Sequence, residues 1–100
     1  MTTHIFNEHN QCVSEGKNLR IIFDRARRFG GVSRIVVDQL PDSRHWGAVV
    51  NVFFPNGYRA CTNFADYAHA CDWARDRSNL SPRVSYWAGA VVTCNPSLRA

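Results

Sequence analysis

Eight side chains in this sequence are of the types that carry nucleophilic or metal chemistry: His4, His9, His45 and His69, and Cys12, Cys61, Cys71 and Cys94. A thiol–imidazole dyad needs its two groups within hydrogen-bond reach. His69 and Cys71 are close in sequence, but residues two apart on a helix face different ways. His4 and His9 fall in a polar N-terminal stretch with no nucleophile motif. A structural zinc needs four ligands, usually arriving as two close Cys/His pairs. His9-x-x-Cys12 has that spacing, and no second such pair follows it. Gly30-Gly31 follows a helical pattern instead of preceding one, so no helix N-terminus is aimed at a phosphate there. The expectation is a non-enzymatic chain with no catalytic residue, no metal and no cofactor.

The chemistry that the sequence does concentrate is cationic. Twelve basic residues stand against eight acids, for a net charge of +4, and Lys17 is the single lysine. A GC-rich genome produces such a bias. So does a surface that grips carboxylates or phosphates, which the planar guanidinium bonds bidentately. Lys17, Arg20, Arg25, Arg27, Arg28 and Arg34 lie together with one acid among them, Asp24. That stretch is either a solvated face or a docking surface for nucleic acid or an acidic protein.

The elements that position these residues follow from periodicity. Ser14 is a helix-capping type, and Leu19, Ile22, Phe23 and Ala26 then recur at helical spacing, with Phe29 extending the stripe. Gly30-Gly31 ends that helix, because glycine accepts the left-handed conformation past a helix end. Val32 to Asp38, Trp46 to Phe54 and Tyr58 to Thr62 read as strands, rich in β-branched and aromatic residues. The polar segment from Gln39 to His45 reads as a loop, and Asn56-Gly57 as a two-residue hairpin turn. Asn63, with Asp66 three residues on, suggests the start of a second helix carrying Phe64, Tyr67, Ala68, Cys71 and Ala74 on one stripe. Pro82 punctuates, Val84 to Thr93 reads as a fourth strand, and residues 95–100 as a loose tail. Residues 1–13 read as a flexible arm or a short edge strand. The predicted fold is a single α+β domain over residues 1–100. Its order is α-β-β-β-α-β, and two helices cover one face of a four-stranded, mostly antiparallel sheet.

A two-residue loop would pair Phe54 with Arg59 and Val52 with Cys61. Ala48, Val50, Val52, Phe54 and Cys61 would then face the helices. Val49, Asn51, Phe53, Tyr58, Ala60 and Thr62 would face outward, with Trp87 joining them from the fourth strand. An outer face carrying Phe53, Tyr58 and Trp87 is more apolar than solubility requires. It is covered by the N-terminal arm, by a second copy of the chain, or by a foreign partner. The chain is accordingly expected as a monomer or a homodimer.

Hydrophobic residues make up 45% of the chain, an ordinary share for a globular protein. No apolar run approaches the ~20 residues of a membrane span. The first residues lack the basic and apolar segments of a signal peptide, which leads to the expectation of a cytoplasmic chain without a membrane partner. In that compartment the four cysteines are expected as free, mostly buried thiols.

Two families enter by resemblance. The α-β-β-β-α order over residues 15–77 resembles the double-stranded-RNA-binding domain in topology. That family carries a basic cluster at the start of its second helix, where this chain reads Asn63-Phe64-Ala65-Asp66-Tyr67. Binding of RNA through sheet aromatics, as in an RRM, would need Phe53, Tyr58 and Trp87 in that family's motifs, and they are not. The chain also resembles, in size and character, the small phage and mobile-element inhibitors of bacterial defence known as type I anti-CRISPR proteins. The resemblance implies a stoichiometric blocker of a CRISPR effector ribonucleoprotein in the bacterial host. The residues expected to make contact are Arg20, Arg25, Arg27, Arg28 and Arg34 as cations, with Phe53, Tyr58 and Trp87 as aromatic anchors. A nucleic-acid-binding module using the same basic helix is the alternative.

Overall fold

A computed structural model of the chain describes residues 2–41, 46–80 and 85–97. The expected loop residues Asp42 to His45, Pro82 with the start of the expected fourth strand at Val84, and the end of the tail (98–100) lie outside them.

Of the two readings of the first thirteen residues, a flexible arm or a short edge strand, the structure takes the strand. Strands β1 (Thr3–Phe6) and β2 (Cys12–Gly16) make a hairpin. Its turn is built from asparagine. The Asn7 side-chain oxygen accepts the backbone N–H groups of His9 and Gln11 at 2.9 and 3.0 Å, and Asn10 takes φ +63°. Asparagine tolerates that left-handed conformation better than most residues and mimics a backbone turn with its own side chain. Ser14 therefore belongs to β2, not to a helix cap.

Helix α1 (Arg20–Arg28) starts later than its apolar stripe suggested, and the Asn18 side chain accepts the Arg20 N–H at 2.9 Å. It ends where the glycines are. Gly30 at φ +78° donates to the Arg27 carbonyl at 3.3 Å and Gly31 to that of Ala26 at 2.9 Å, which together satisfy two orphan carbonyls of the last turn.

Strands β3 (Arg34–Gln39), β4 (Ala48–Phe53) and β5 (Arg59–Phe64) form an antiparallel meander. Beyond the strand ends the Phe54–Tyr58 pair closes the hairpin, and three residues, Pro55, Asn56 and Gly57, form the loop inside it. Gly57 donates to Phe54 O at 3.2 Å, takes φ +89°, and lets Phe54 N reach Tyr58 O at 2.9 Å. Proline at the first turn position and glycine in the left-handed one specify this longer loop. The longer loop moves the register by one residue, so Val52 pairs with Ala60 and Phe53 with Arg59. The inward assignment of Ala48, Val50, Val52 and Phe54 holds. On β5 the faces exchange: Ala60 and Thr62 are buried, and Cys61 turns outward.

Asn63 and Phe64 complete β5, so neither caps the second helix. Asp66 caps helix α2 (Tyr67–Ser78), accepting from His69 N at 3.3 Å. The fourth predicted strand is much shorter than expected. It is β6 (Val91–Asn95), preceded by a turn over 86–89.

The sheet is six-stranded and mixed, with order β2-β1-β5-β4-β3-β6, and β3 and β6 pair in parallel. This corrects the expected four strands and the order α-β-β-β-α-β. The N-terminal hairpin adds two strands beside β5, and β6 joins the other edge beside β3. Crossovers β2-α1-β3 and β5-α2-β6 each link strands of one polarity and cross the sheet in the same direction. A common hand then puts both helices on one face. The core lies under them: Ile5, Ile35, Val37, Val50, Val52 and Ala60 from the sheet meet Ile22 and Ala26 of α1 and Ala70 and Ala74 of α2, all fully buried. Thr3 and Thr62 are buried there too, bonded to each other at 3.2 Å across β1 and β5.

Candidate functional site

The basic residues of α1 lie on its solvent side. Burial of Ile22 and Ala26 fixes the helix rotation, and Arg20, Arg27 and Arg28 are then exposed, with Arg25 half-buried. The Arg25 guanidinium lies 5.9 Å from the Phe29 ring centroid. No described arginine has a carboxylate within 4.0 Å; the ion pairs among the described residues are His4–Glu15 and His9–Glu8. Arg25, Arg27 and Arg28 occupy the last turn of α1, where cations also oppose the negative end of the helix dipole.

An open depression of about 560 Å³ lies on this side, lined by Ile21, Asp24, Arg25, Arg27, Arg28 and Tyr86. Tyr86 reaches it because its carbonyl accepts the Val32 N–H at 3.1 Å, which lays the 86–89 turn against the end of α1. Tyr86 is 53% exposed. Three guanidiniums and a phenol thus converge on one surface, with Asp24 as the acid of the set. Such a surface can hold carboxylates or phosphates by charge-assisted hydrogen bonds.

The predicted aromatic anchors do not come together. Trp87 is 4% exposed and sits between the rings of Phe23 and Trp73, at 5.3 and 5.4 Å. It is core, because the segment expected as strand turns there and drives the indole between the helices. Tyr58 packs on Phe29, the C-cap residue of α1, at 5.0 Å, on the covered side of the sheet. Phe53 alone of the three stays on the outer face, under the Arg34 guanidinium at 4.0 Å. Arg34 itself is on β3 and outside the depression. Sequence reasoning missed Tyr86, the immediate neighbour of Trp87; a short turn reverses the in–out order that a continuous strand would give.

One thiol has an imidazole beside it: Cys12 Sγ lies 3.8 Å from His4 Nδ1, which also stands 3.5 Å from a Glu15 carboxylate oxygen. Cys71 is buried, Cys61 and Cys94 half-buried and Cys12 exposed, all free, so the expectation of mostly buried thiols is met at one of four. Burial, reinforced by a hydrogen bond with Cys71, pushes the Cys94 thiol up to about 11. Burial raises Cys61 as well, against the lowering effect of Arg59. A raised thiol holds little of the reactive thiolate near neutral pH. Among the described residues no cluster of three His, Cys, Asp or Glu side chains could hold a metal ion, and no helix is long and apolar enough to cross a membrane. No protein-family model, no curated protein and no solved structure matches this chain.

Proposed function

We propose that this chain is a non-enzymatic binding protein that acts by stoichiometric contact, with the arginine-bearing side of α1 as its docking surface. The observation that carries this reading is the convergence of Arg25, Arg27 and Arg28 with the exposed Tyr86 on one open depression, none of the three held by a carboxylate within 4.0 Å. Arginine and tyrosine are the residue types that concentrate binding energy at interfaces. A partner would bring acidic side chains or a phosphate backbone. The resemblance in kind to type I anti-CRISPR proteins supplies the class of target: a bacterial defence ribonucleoprotein, whose recruitment or target-binding site the chain would obstruct.

The test is protection. Expressed in bacterial strains that each carry one active type I CRISPR system, the chain is expected to restore plaque formation by a targeted phage in at least one strain. Charge reversal, Arg27→Glu with Arg28→Glu, should abolish that effect. The neutral pair Arg27→Gln and Arg28→Gln controls for the helix dipole, where each cation contributes about 0.3–1 kcal/mol. Unchanged plaquing in every strain sinks the defence-inhibitor reading. A purified chain that binds duplex nucleic acid at micromolar levels, with a steep salt slope lost in the Glu variant, favours a nucleic-acid-binding module on the same helix.

A further inference from the structure

The helices cover one face of the sheet and leave the other open. Across the middle of the open face runs one row of cross-strand partners. Phe6 on β1 stands opposite Arg59 on β5, Arg59 opposite Phe53 on β4, Phe53 opposite Arg34 on β3, and Arg34 opposite Val91 on β6. Aromatic rings and cations alternate along it, and each cation lies over a ring. The Arg59 guanidinium carbon is 4.2 Å from the Phe6 centroid and that of Arg34 is 4.0 Å from the Phe53 centroid. Arg59 is held in place by two neutral amides: Nη1 donates to Asn51 Oδ1 at 2.8 Å and Nη2 to Asn10 Oδ1 at 2.7 Å.

Among the described residues neither guanidinium has a carboxylate within 4.0 Å; the two acids of this face lie away from them, Glu15 3.5 Å from His4 and Asp38 accepting from the Asn95 amide at 2.8 Å. The face therefore presents two flat cations, two strands or ~10 Å apart, each with a ring beneath it and its other side toward solvent. Nucleobases stack on arginine planes and on aromatic rings, and phosphates take up the charge. We propose that the open face of the sheet is a platform for single-stranded nucleic acid, centred on Arg34 and Arg59 and independent of the α1 surface.

The same observations disfavour other occupants. A second copy docked through this face would bring two copies each of Arg34 and Arg59 into one buried patch, since a two-fold interface repeats one patch on both sides. A protein partner wants a desolvated apolar centre. Here both rings lie half-buried under their cations, and the apolar side chain of the row that stays largely exposed, Val91 at 64%, is at its edge. A duplex keeps its bases stacked inside and offers the guanidinium planes no partner.

Fluorescence anisotropy with a short labelled oligonucleotide tests this, run as single-stranded RNA, single-stranded DNA of the same sequence, and the annealed duplex. The wild-type chain is expected to bind a single strand saturably and in preference to the duplex. Arg34 is exposed and gives up only its stack on Phe53, so Arg34→Glu should leave the circular dichroism in place and lower the melting temperature by no more than about 8 °C, while weakening single-strand binding at least about tenfold. Arg34→Lys keeps the charge and loses the flat stack; it should retain the salt slope and still bind more weakly. The proposal is overturned by an absence of single-strand binding, by equal binding of the duplex, or by an Arg34→Glu variant of unchanged affinity. It is equally overturned if Arg27→Glu with Arg28→Glu removes the binding and Arg34→Glu does not, or if sedimentation shows a wild-type dimer that Arg34→Glu dissociates.

Discussion

Tyr86 and Trp87 are adjacent in the chain and opposite in environment, 53% and 4% exposed, so truncating each in turn tests the placement on which the α1 surface depends. Removing the Trp87 side chain empties the space between Phe23 and Trp73, whose ring centroids are 5.3 and 5.4 Å away. Truncating a buried Phe or Trp to Ala costs about 3–5 kcal/mol, within which each ring pair accounts for ~0.5–1.5 kcal/mol. A domain has only about 5–15 kcal/mol to lose. At ~4–8 °C per kcal/mol for a domain of this size, Trp87→Ala should lower the melting temperature by roughly 12–40 °C. Tyr86→Ala strips a half-exposed ring and should cost no more than about 1 kcal/mol. Urea titrations followed by far-UV circular dichroism give both values. Trp87→Phe keeps a ring in the slot and should fall between them, which preserves the measurement if Trp87→Ala fails to fold. A loss below about 1 kcal/mol for Trp87→Ala, or equal losses at the two positions, would refute the wedge between the helices. Trp87 would then return as a candidate contact residue.

Three further outcomes follow from the packing. A Cβ at Gly47 would stand 2.5 Å from the Ala65 carbonyl oxygen and 2.9 Å from Tyr67 N, both backbone atoms, so Gly47→Ala should cost about 1–3 kcal/mol or more in urea. Thr3 and Thr62 satisfy each other inside the core; Thr62→Val alone should cost about 1–3 kcal/mol, and adding Thr3→Val should recover part of it, a coupling that vanishes if β1 does not pair with β5. Burial, with help from the Cys71 thiol, pushes the Tyr67 phenol from 10.0 up to about 12, and burial takes Cys94 from 9.0 to about 11. The folded chain then keeps protons that the unfolded chain releases. The stability these two groups contribute should be intact below about pH 9 and decline from about pH 9 to 12, and a pH series of urea midpoints should show Tyr67→Phe with Cys94→Ala flattening that decline.

Local chemistry was legible in the sequence where the residue itself imposes a conformation. Gly30-Gly31 announced the end of α1. The alternation of Ala48, Val50 and Val52 gave the buried side of β4, and the density of arginine between positions 17 and 34 gave the exposed side of α1. The turn chemistry was legible but misassigned. Pro55 ahead of Asn56-Gly57 calls for a three-residue loop, and one residue of difference moved Cys61 outward and Ala60 and Thr62 inward. Asn7 and Asn10 likewise carried a turn signal that favours a hairpin over an arm in the first thirteen residues.

Pairing between distant segments was not legible, because no local pattern names a partner. The composition and order of the residues were enough to place one apolar core, two helices and a cationic surface on α1. Only the tertiary structure decided that β1 lies against β5 and β6 against β3, which widened the sheet to six strands. That width aligns Phe6, Arg59, Phe53 and Arg34 in one row, although they come from four separate strands. It also decided that Tyr86 and not Trp87 stands beside the arginines of α1. Burial of a large ring is settled by the space between two helices and not by its place in a run of residues.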